Sequence, residues 1–168
     1  MSRFSDLTDQ QKAEAAKFFL MEHLEYFDPN KVHDDLVSKT EMKDIGYLTK
    51  EISDDSKEVT KLVETILLIS DTDFPDKLDI AIQASGKKQE LITGQALLAL
   101  TGMALMFIYS YVHLQKTRGV KEETRKRKIK KKGDGFLIEE EVHKVYIDNK
   151  SPFGSFLGKL FGKGDSNE

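Results

Sequence analysis

Residues 91–114 read LITGQALLALTGMALMFIYSYVHL and contain no Asp, Glu, Lys or Arg. Charged residues make up 33% of the chain, so this stretch differs sharply in composition from everything around it. A helix of 24 residues is about 36 Å long, and the hydrocarbon core of a bilayer is about 30 Å thick. We therefore predict one long apolar helix within residues 89–115, and its length and composition favour a membrane span.

Two further features of the stretch support a span. Ten of its residues are Leu, Ile, Val or Phe, which together favour insertion by about 3 to 6 kcal/mol. Tyr109, Tyr111 and His113 cluster at its C-terminal end, where interfacial side chains are expected. The alternative is the buried central helix of a soluble bundle, which is also apolar on all sides. Residues 1–88 offer little surface to cover such a helix, so we prefer the span.

Small residues recur every three positions along this helix, at Thr93, Ala96, Ala99 and Gly102. A face of small side chains lets two helices approach closely, and Gln95 beside it can hydrogen-bond to a neighbouring helix. These five residues predict a helix-packing face, used with a protein partner or with a second copy of the chain.

Charge divides the chain at the apolar stretch. Residues 1–90 contain 12 Lys and Arg against 20 Asp and Glu, whereas residues 116–168 contain 14 against 9. Close to the predicted span, three lysines precede it and ten basic residues follow it. The excess of positive charge predicts a single-pass protein with its C-terminus in the cytoplasm. That orientation requires the acidic domain to cross the membrane, although the N-terminus carries no secretory signal pattern.

A dense basic run follows the apolar stretch. We predict that it binds an anionic surface, through Arg125, Lys126, Arg127, Lys128, Lys130, Lys131 and Lys132. Directly after a span, such a run suits the anionic headgroups of a bilayer. Nucleic acid is the alternative partner, but the run lacks the interleaved aromatic residues on which bases stack.

The flanking segments predict different secondary structures. Residues 1–88 form a small helical domain, in which Thr8 and Gln11 make a capping box and Asp54, Asp55 or Ser56 caps the strongest soluble helix. Residues 116–150 comprise the basic segment and a β-hairpin over 126–148, because the turn signal Gly133-Asp134-Gly135 separates two strand-like runs.

Residues 151–168 contain a short amphipathic helix. Its apolar positions share one helix face: Phe153, Phe156, Leu157, Leu160 and Phe161. Lys159 and Lys163 flank this face, so we predict an interfacial helix lying on the bilayer surface. Docking on the protein's own hairpin or on a partner is the alternative.

Catalytic and metal motifs are not recognisable. The chain has no cysteine, and its four histidines have no metal-ligand spacing. We find no pairing of a nucleophile with a base, and we expect neither enzymatic activity nor a cofactor.

The sequence thus predicts a mainly α protein: a helical domain, one long apolar helix, a β-hairpin and an amphipathic helix. The favoured function is a non-catalytic, single-pass membrane adaptor or structural subunit of a larger assembly. The alternatives are a membrane-disrupting oligomeric effector and a soluble helical protein that binds nucleic acid through the basic hairpin.

Overall fold

The computed structural model describes residues 4–23, 28–40, 44–85, 92–114, 129–140 and 143–165. The helices are α1 Asp9–His23, α2 Pro29–Thr40, α3 Ile45–Ser53, α4 Ser56–Asp73, α5 Pro75–Ser85, α6 Gly94–Tyr109 and α7 Pro152–Asp165. A π-helical turn, Ser110–Leu114, continues α6. The strands are β1 Ile129–Lys132, β2 Gly135–Glu140 and β3 His143–Asp148. The predicted fold class, mainly α with one long apolar helix and a C-terminal β element, is confirmed.

Two helix starts follow the predicted capping chemistry. The Thr8 hydroxyl accepts a hydrogen bond from the Gln11 amide (3.1 Å), and the Gln11 side chain accepts one from the Thr8 amide (3.0 Å). This reciprocal pair satisfies two backbone donors that the first turn of α1 leaves without helical partners. Asp55 caps α4 by accepting from the Lys57 amide at 3.0 Å.

Helix α6 lies among the N-terminal helices and contacts α1, α2, α3 and α4. Beside it, α1 packs on α4 and α5. An aromatic group links these elements: the Phe107 ring of α6 meets the Phe19 ring of α1 edge-on, with centroids 5.5 Å apart. His23 stacks on Phe19 in the same group and is fully buried. The apolar helix is thus the central member of the bundle over much of its length.

The C-terminal β element has three antiparallel strands in the order β1-β2-β3, one more than the predicted hairpin. The run from Phe136 to Ile147 that we expected to be one strand is divided between β2 and β3. The first turn lies at Gly133-Asp134, within the predicted turn signal Gly133-Asp134-Gly135. Gly133 has a φ of +60°, and primed hairpin turns need a positive φ at that position.

Gly135 opens β2 instead of completing the turn. A Cβ at this position would collide with the Ile147 carbonyl oxygen and would lie 2.6 Å from the Tyr146 hydroxyl oxygen. Glycine is therefore required there by the close approach of β3, which the sequence pattern alone does not reveal.

One face of the sheet is apolar and carries Ile129, Phe136, Ile138, Val145 and Ile147, all buried. Helix α4 contacts β2 and β3, and α7 contacts α3, α4 and both of these strands. Side chains from all four segments of the predicted domain organisation consequently contribute to one continuous hydrophobic core.

Candidate functional site

The apolar helix is the first candidate element. Among the described residues, Gly94–Val112 is the one helix long and apolar enough to cross a membrane, with 19 residues and a mean hydropathy of 1.5. The core helix of a soluble protein meets the same two criteria, and 56% of this stretch is buried inside the protein. Length and composition are therefore confirmed, and they do not by themselves place the helix in a bilayer.

The two halves of α6 have different surroundings. Gly94, Gln95, Ala96, Leu98 and Ala99 are exposed, and Leu98 retains 37% of its accessible surface. From Leu100 onward most side chains are buried. The N-terminal half is thus an apolar surface facing outward, and the C-terminal half is core.

Three polar contacts hold the buried half in the bundle. The Tyr109 hydroxyl donates to Asp35 Oδ2 of α2 at 2.5 Å, and the Tyr111 hydroxyl donates to Asp73 Oδ2 at the end of α4 at 2.6 Å. The Ser53 hydroxyl of α3 donates to Thr101 Oγ1 at 3.0 Å. The two tyrosines that the sequence suggested for a membrane interface are both buried here.

The predicted small-residue face lies mainly on the exposed half. Thr93, Gln95, Ala96 and Ala99 are exposed, whereas Gly102 is partly buried. A Cβ at Gly102 would lie 3.9 Å from Thr49 Cγ2, so this end of the face packs on α3. The four exposed residues remain accessible for contact with another helix.

A groove of about 380 Å³ adjoins the exposed half of α6. Ala13, Val59, Val63, Ile92 and Leu97 contribute apolar side chains, and polar residues including Asp9 and Lys12 also line it. Lys12 is held by a 3.1 Å ion pair with Glu64. Apolar surface therefore continues from the exposed helix into the space between α1 and α4.

The second candidate element is a lysine-rich surface on the sheet. Lys130, Lys131 and Lys132 are exposed along β1. The four preceding residues of the predicted basic run, Arg125, Lys126, Arg127 and Lys128, lie outside the described residues. The structure thus presents three of the seven predicted cations on a β-strand.

Glu139 lies among these lysines. Lys130 Nζ donates to Glu139 Oε1 at 2.8 Å, and Lys144 Nζ lies 4.0 Å from Oε2. The hydrogen bond from Lys130 holds the pKa of Glu139 below its ordinary value, and the charges of Lys130, Lys144 and Lys132 act in the same direction. Lys144 belongs to this surface, although the sequence run did not identify it.

The predicted interfacial helix is docked on the protein. Phe153, Phe156, Leu157 and Leu160 are buried, with at most 4% exposure. The side chain of Phe161 lies outside the described residues. The structure thus has the arrangement that the sequence left as the alternative, in which α7 covers the protein's own sheet.

Metal-binding groups are not apparent in the part of the chain that the structure describes, where no cluster of three His, Asp or Glu side chains could hold an ion. His23, the last residue of α1, is buried among aromatic rings. Comparison with protein-family models, with curated proteins and with solved structures gave no match.

Proposed function

We propose that this chain is a non-catalytic, membrane-anchored adaptor or structural subunit of a larger assembly, with α6 as its membrane-directed helix. The observation that carries the proposal is the uncharged helix Gly94–Val112, whose N-terminal half is exposed. At 1.5 Å per residue its 19 residues extend about 28 Å, close to the thickness of the hydrocarbon core.

Insertion exchanges one apolar environment for another. The side chains of Leu105, Phe107 and Ile108 are out of water in the bundle and would be out of water in lipid. The cost falls instead on α1, α2, α3 and α4, whose inner faces α6 now covers, and on the two tyrosine–aspartate hydrogen bonds. An anchored chain therefore needs a second protein, or another copy, to cover those faces. This requirement supports the role of an adaptor or subunit.

The basic run supplies the second contact with the bilayer. Each lysine or arginine near an anionic leaflet contributes about 1 kcal/mol, and seven basic residues occur between Arg125 and Lys132. Their excess over the basic residues before α6 supports a cytoplasmic C-terminus. Phospholipid headgroups are the partner proposed for them.

Alkaline carbonate extraction of cell membranes containing the full chain tests the anchor. We expect the chain to remain in the membrane pellet. Leu98 and Ala99 are exposed in the bundle, so the double variant Leu98→Arg, Ala99→Arg leaves the core intact. It places two charges, each costing up to about 3 kcal/mol, within the span. We expect this variant in the extract.

Ile80→Arg is the matched control, because Ile80 is 60% exposed on α5. It introduces the same charge outside the proposed span and should stay in the pellet. Release of the unaltered chain by carbonate would overturn the anchor. Protease digestion of sealed vesicles then reports which side carries residues 1–88.

A soluble protein that binds nucleic acid through the basic strand is the second candidate. It is favoured by one specific observation, the burial of Tyr109 and Tyr111 with hydrogen bonds to Asp35 and Asp73. This candidate predicts a monodisperse protein without detergent and RNA affinity that falls steeply with salt concentration.

A further inference from the structure

We propose that the outward face of the three-stranded sheet is an interfacial membrane-binding surface in which Tyr146 enters the headgroup layer. Lys130, Lys132 and Lys144 would contact lipid phosphates around the ring. The inference rests on one part of the proposed function, that the chain contacts an anionic bilayer. It adds Tyr146 and Lys144, which the basic run does not contain.

Strand register places these side chains together. Lys130 pairs with Leu137, and Leu137 pairs with Tyr146, so the three form one row across the sheet. Directly opposite residues of antiparallel strands have Cβ atoms about 5 Å apart. Since residues two apart share a face, Lys132 and Lys144 lie on the same side of the sheet. The sheet thus surrounds one aromatic ring with cations drawn from two strands.

The ring is exposed although the rest of the sheet is packed. Tyr146 retains 45% of its accessible surface, whereas its chain neighbours Val145 and Ile147 retain 5% and 0%. Its hydroxyl lies 2.6 Å from the position of a Cβ on Gly135, so the ring extends over that glycine. Leu137 beside it is partly exposed. An outward-facing Tyr–Leu pair is a small apolar patch with a polar tip.

Charge on this surface is positive. On the outward face the described lysines are Lys130, Lys132 and Lys144, all exposed, and the described carboxylates are Glu139 and Asp148. Lys131 alternates onto the opposite face, in the row of Phe136 and Ile147. Glu139 contacts two of the lysines, and Asp148 accepts a hydrogen bond from the Lys150 amide at 2.8 Å. An anionic partner complements the excess of lysine.

A bilayer fits this surface better than single-stranded nucleic acid does. Proteins that bind single-stranded nucleic acid use several aromatic rings, on which successive bases stack. The row formed by Lys130, Leu137 and Tyr146 has one ring beside an aliphatic side chain. Tyrosine is enriched at the membrane interface, where its ring is apolar and its hydroxyl is hydrated. Lysine stems lie along apolar surface while their ammonium groups reach the phosphates.

Tryptophan fluorescence of full-length Tyr146→Trp tests the proposal, because the natural chain contains no tryptophan. We expect its emission to shift to shorter wavelength with vesicles of phosphatidylserine and phosphatidylcholine. Phosphatidylcholine alone and inorganic phosphate should leave it unchanged. Leu137→Trp is a second reporter on the same row, should the first variant fold poorly. Tyr47→Trp, at a 70% exposed site on α3, is the matched control.

Charge removal gives an independent measurement. Lys132→Gln and Lys144→Gln should each weaken vesicle binding about fivefold, and Lys50→Gln, exposed on α3, should not. Two results together separate this surface from the anchor. If the protein resists carbonate but neither tryptophan reporter on the sheet changes its emission, the membrane-binding surface is overturned and the α6 anchor still stands. If carbonate extracts the protein but the emission shifts with vesicles, the surface is supported and the membrane span is not. A shift with single-stranded RNA but not with vesicles also overturns the proposal.

Discussion

The Glu58 carboxylate accepts a hydrogen bond of 2.8 Å from the backbone amide of Phe153, which lies 95 residues further along the chain. Glu58 is in the first turn of α4 and only 4% exposed, and Phe153 is in the first turn of α7. Ser151 caps the same turn, because its hydroxyl accepts from the Gly154 amide at 3.0 Å. A carboxylate beside a helix N-terminus also interacts favourably with the helix dipole. The N-terminal domain therefore supplies part of the cap of the last helix.

Glu58→Ala should consequently loosen α7. The Phe153 amide would be buried without an acceptor, which costs about 1–3 kcal/mol. Glu58→Gln retains an oxygen acceptor and should lose less. Urea unfolding, followed by circular dichroism, measures both changes. Glu51→Ala, at an exposed site on α3, is the control, and equal stability of Glu58→Ala and Glu51→Ala would contradict the capping role.

Two glycines of α7 provide an opposed pair of substitutions. A Cβ at Gly154 would collide with the Asp148 carbonyl and approach Asn149, whereas a Cβ at Gly158 would meet nothing within 4 Å. We expect Gly154→Ala to destabilise the protein by about 2 kcal/mol, a cost typical of forcing a backbone shift in a packed site. Gly158→Ala should stabilise it by up to about 1 kcal/mol through helix propensity. Thermal unfolding of the two variants should therefore shift in opposite directions, and a shift in the same direction would be inconsistent with the docking of α7 on β3.

Local chemistry was predictable from sequence because it depends on neighbours in the chain. The Thr8–Gln11 capping box, the Asp55 cap and the apolar helix all have the predicted form. The register of the first hairpin was not predictable, since the turn signal Gly133-Asp134-Gly135 does not show which two of its residues form the turn. The reason is tertiary: Ile147 and Tyr146 of β3 occupy the space that a side chain at position 135 would need.

Surface chemistry was less predictable than helix boundaries. The basic run indicated lysines without an aromatic partner, and only the pairing of three strands brings Tyr146 beside Lys130. Likewise, the apolar face of α7 predicts burial but does not distinguish a bilayer from the protein's own sheet. Contacts between residues far apart in the chain decide both questions.

The Lys130–Glu139 pair predicts a pH dependence of definite sign. Lys130 holds the pKa of Glu139 below its ordinary value, so ionised Glu139 favours the folded sheet. This contribution is present above the ordinary carboxyl pKa and is lost as the pH falls through the lowered folded value. In a carbon-detected NMR titration, Lys130→Ala should raise the pKa of Glu139 towards its ordinary value. Lys57→Ala, exposed on α4, should not change it. An unchanged Glu139 pKa in Lys130→Ala would show that the pair does not form in solution.

The tyrosine–aspartate hydrogen bonds of α6 distinguish an anchor from a core helix. Tyr109→Phe and Tyr111→Phe remove the bonds to Asp35 and Asp73 while keeping the rings, which should destabilise the bundle by about 1–2 kcal/mol each. If α6 exchanges the bundle for a bilayer, the double variant should also increase the fraction of purified protein that inserts into added vesicles, because the competing state is weakened. Thr60→Val, which removes a hydroxyl that bonds only within α4, controls for the loss of a polar group. Lower stability with no gain in the membrane fraction would identify α6 as a core helix and remove the basis for the anchor.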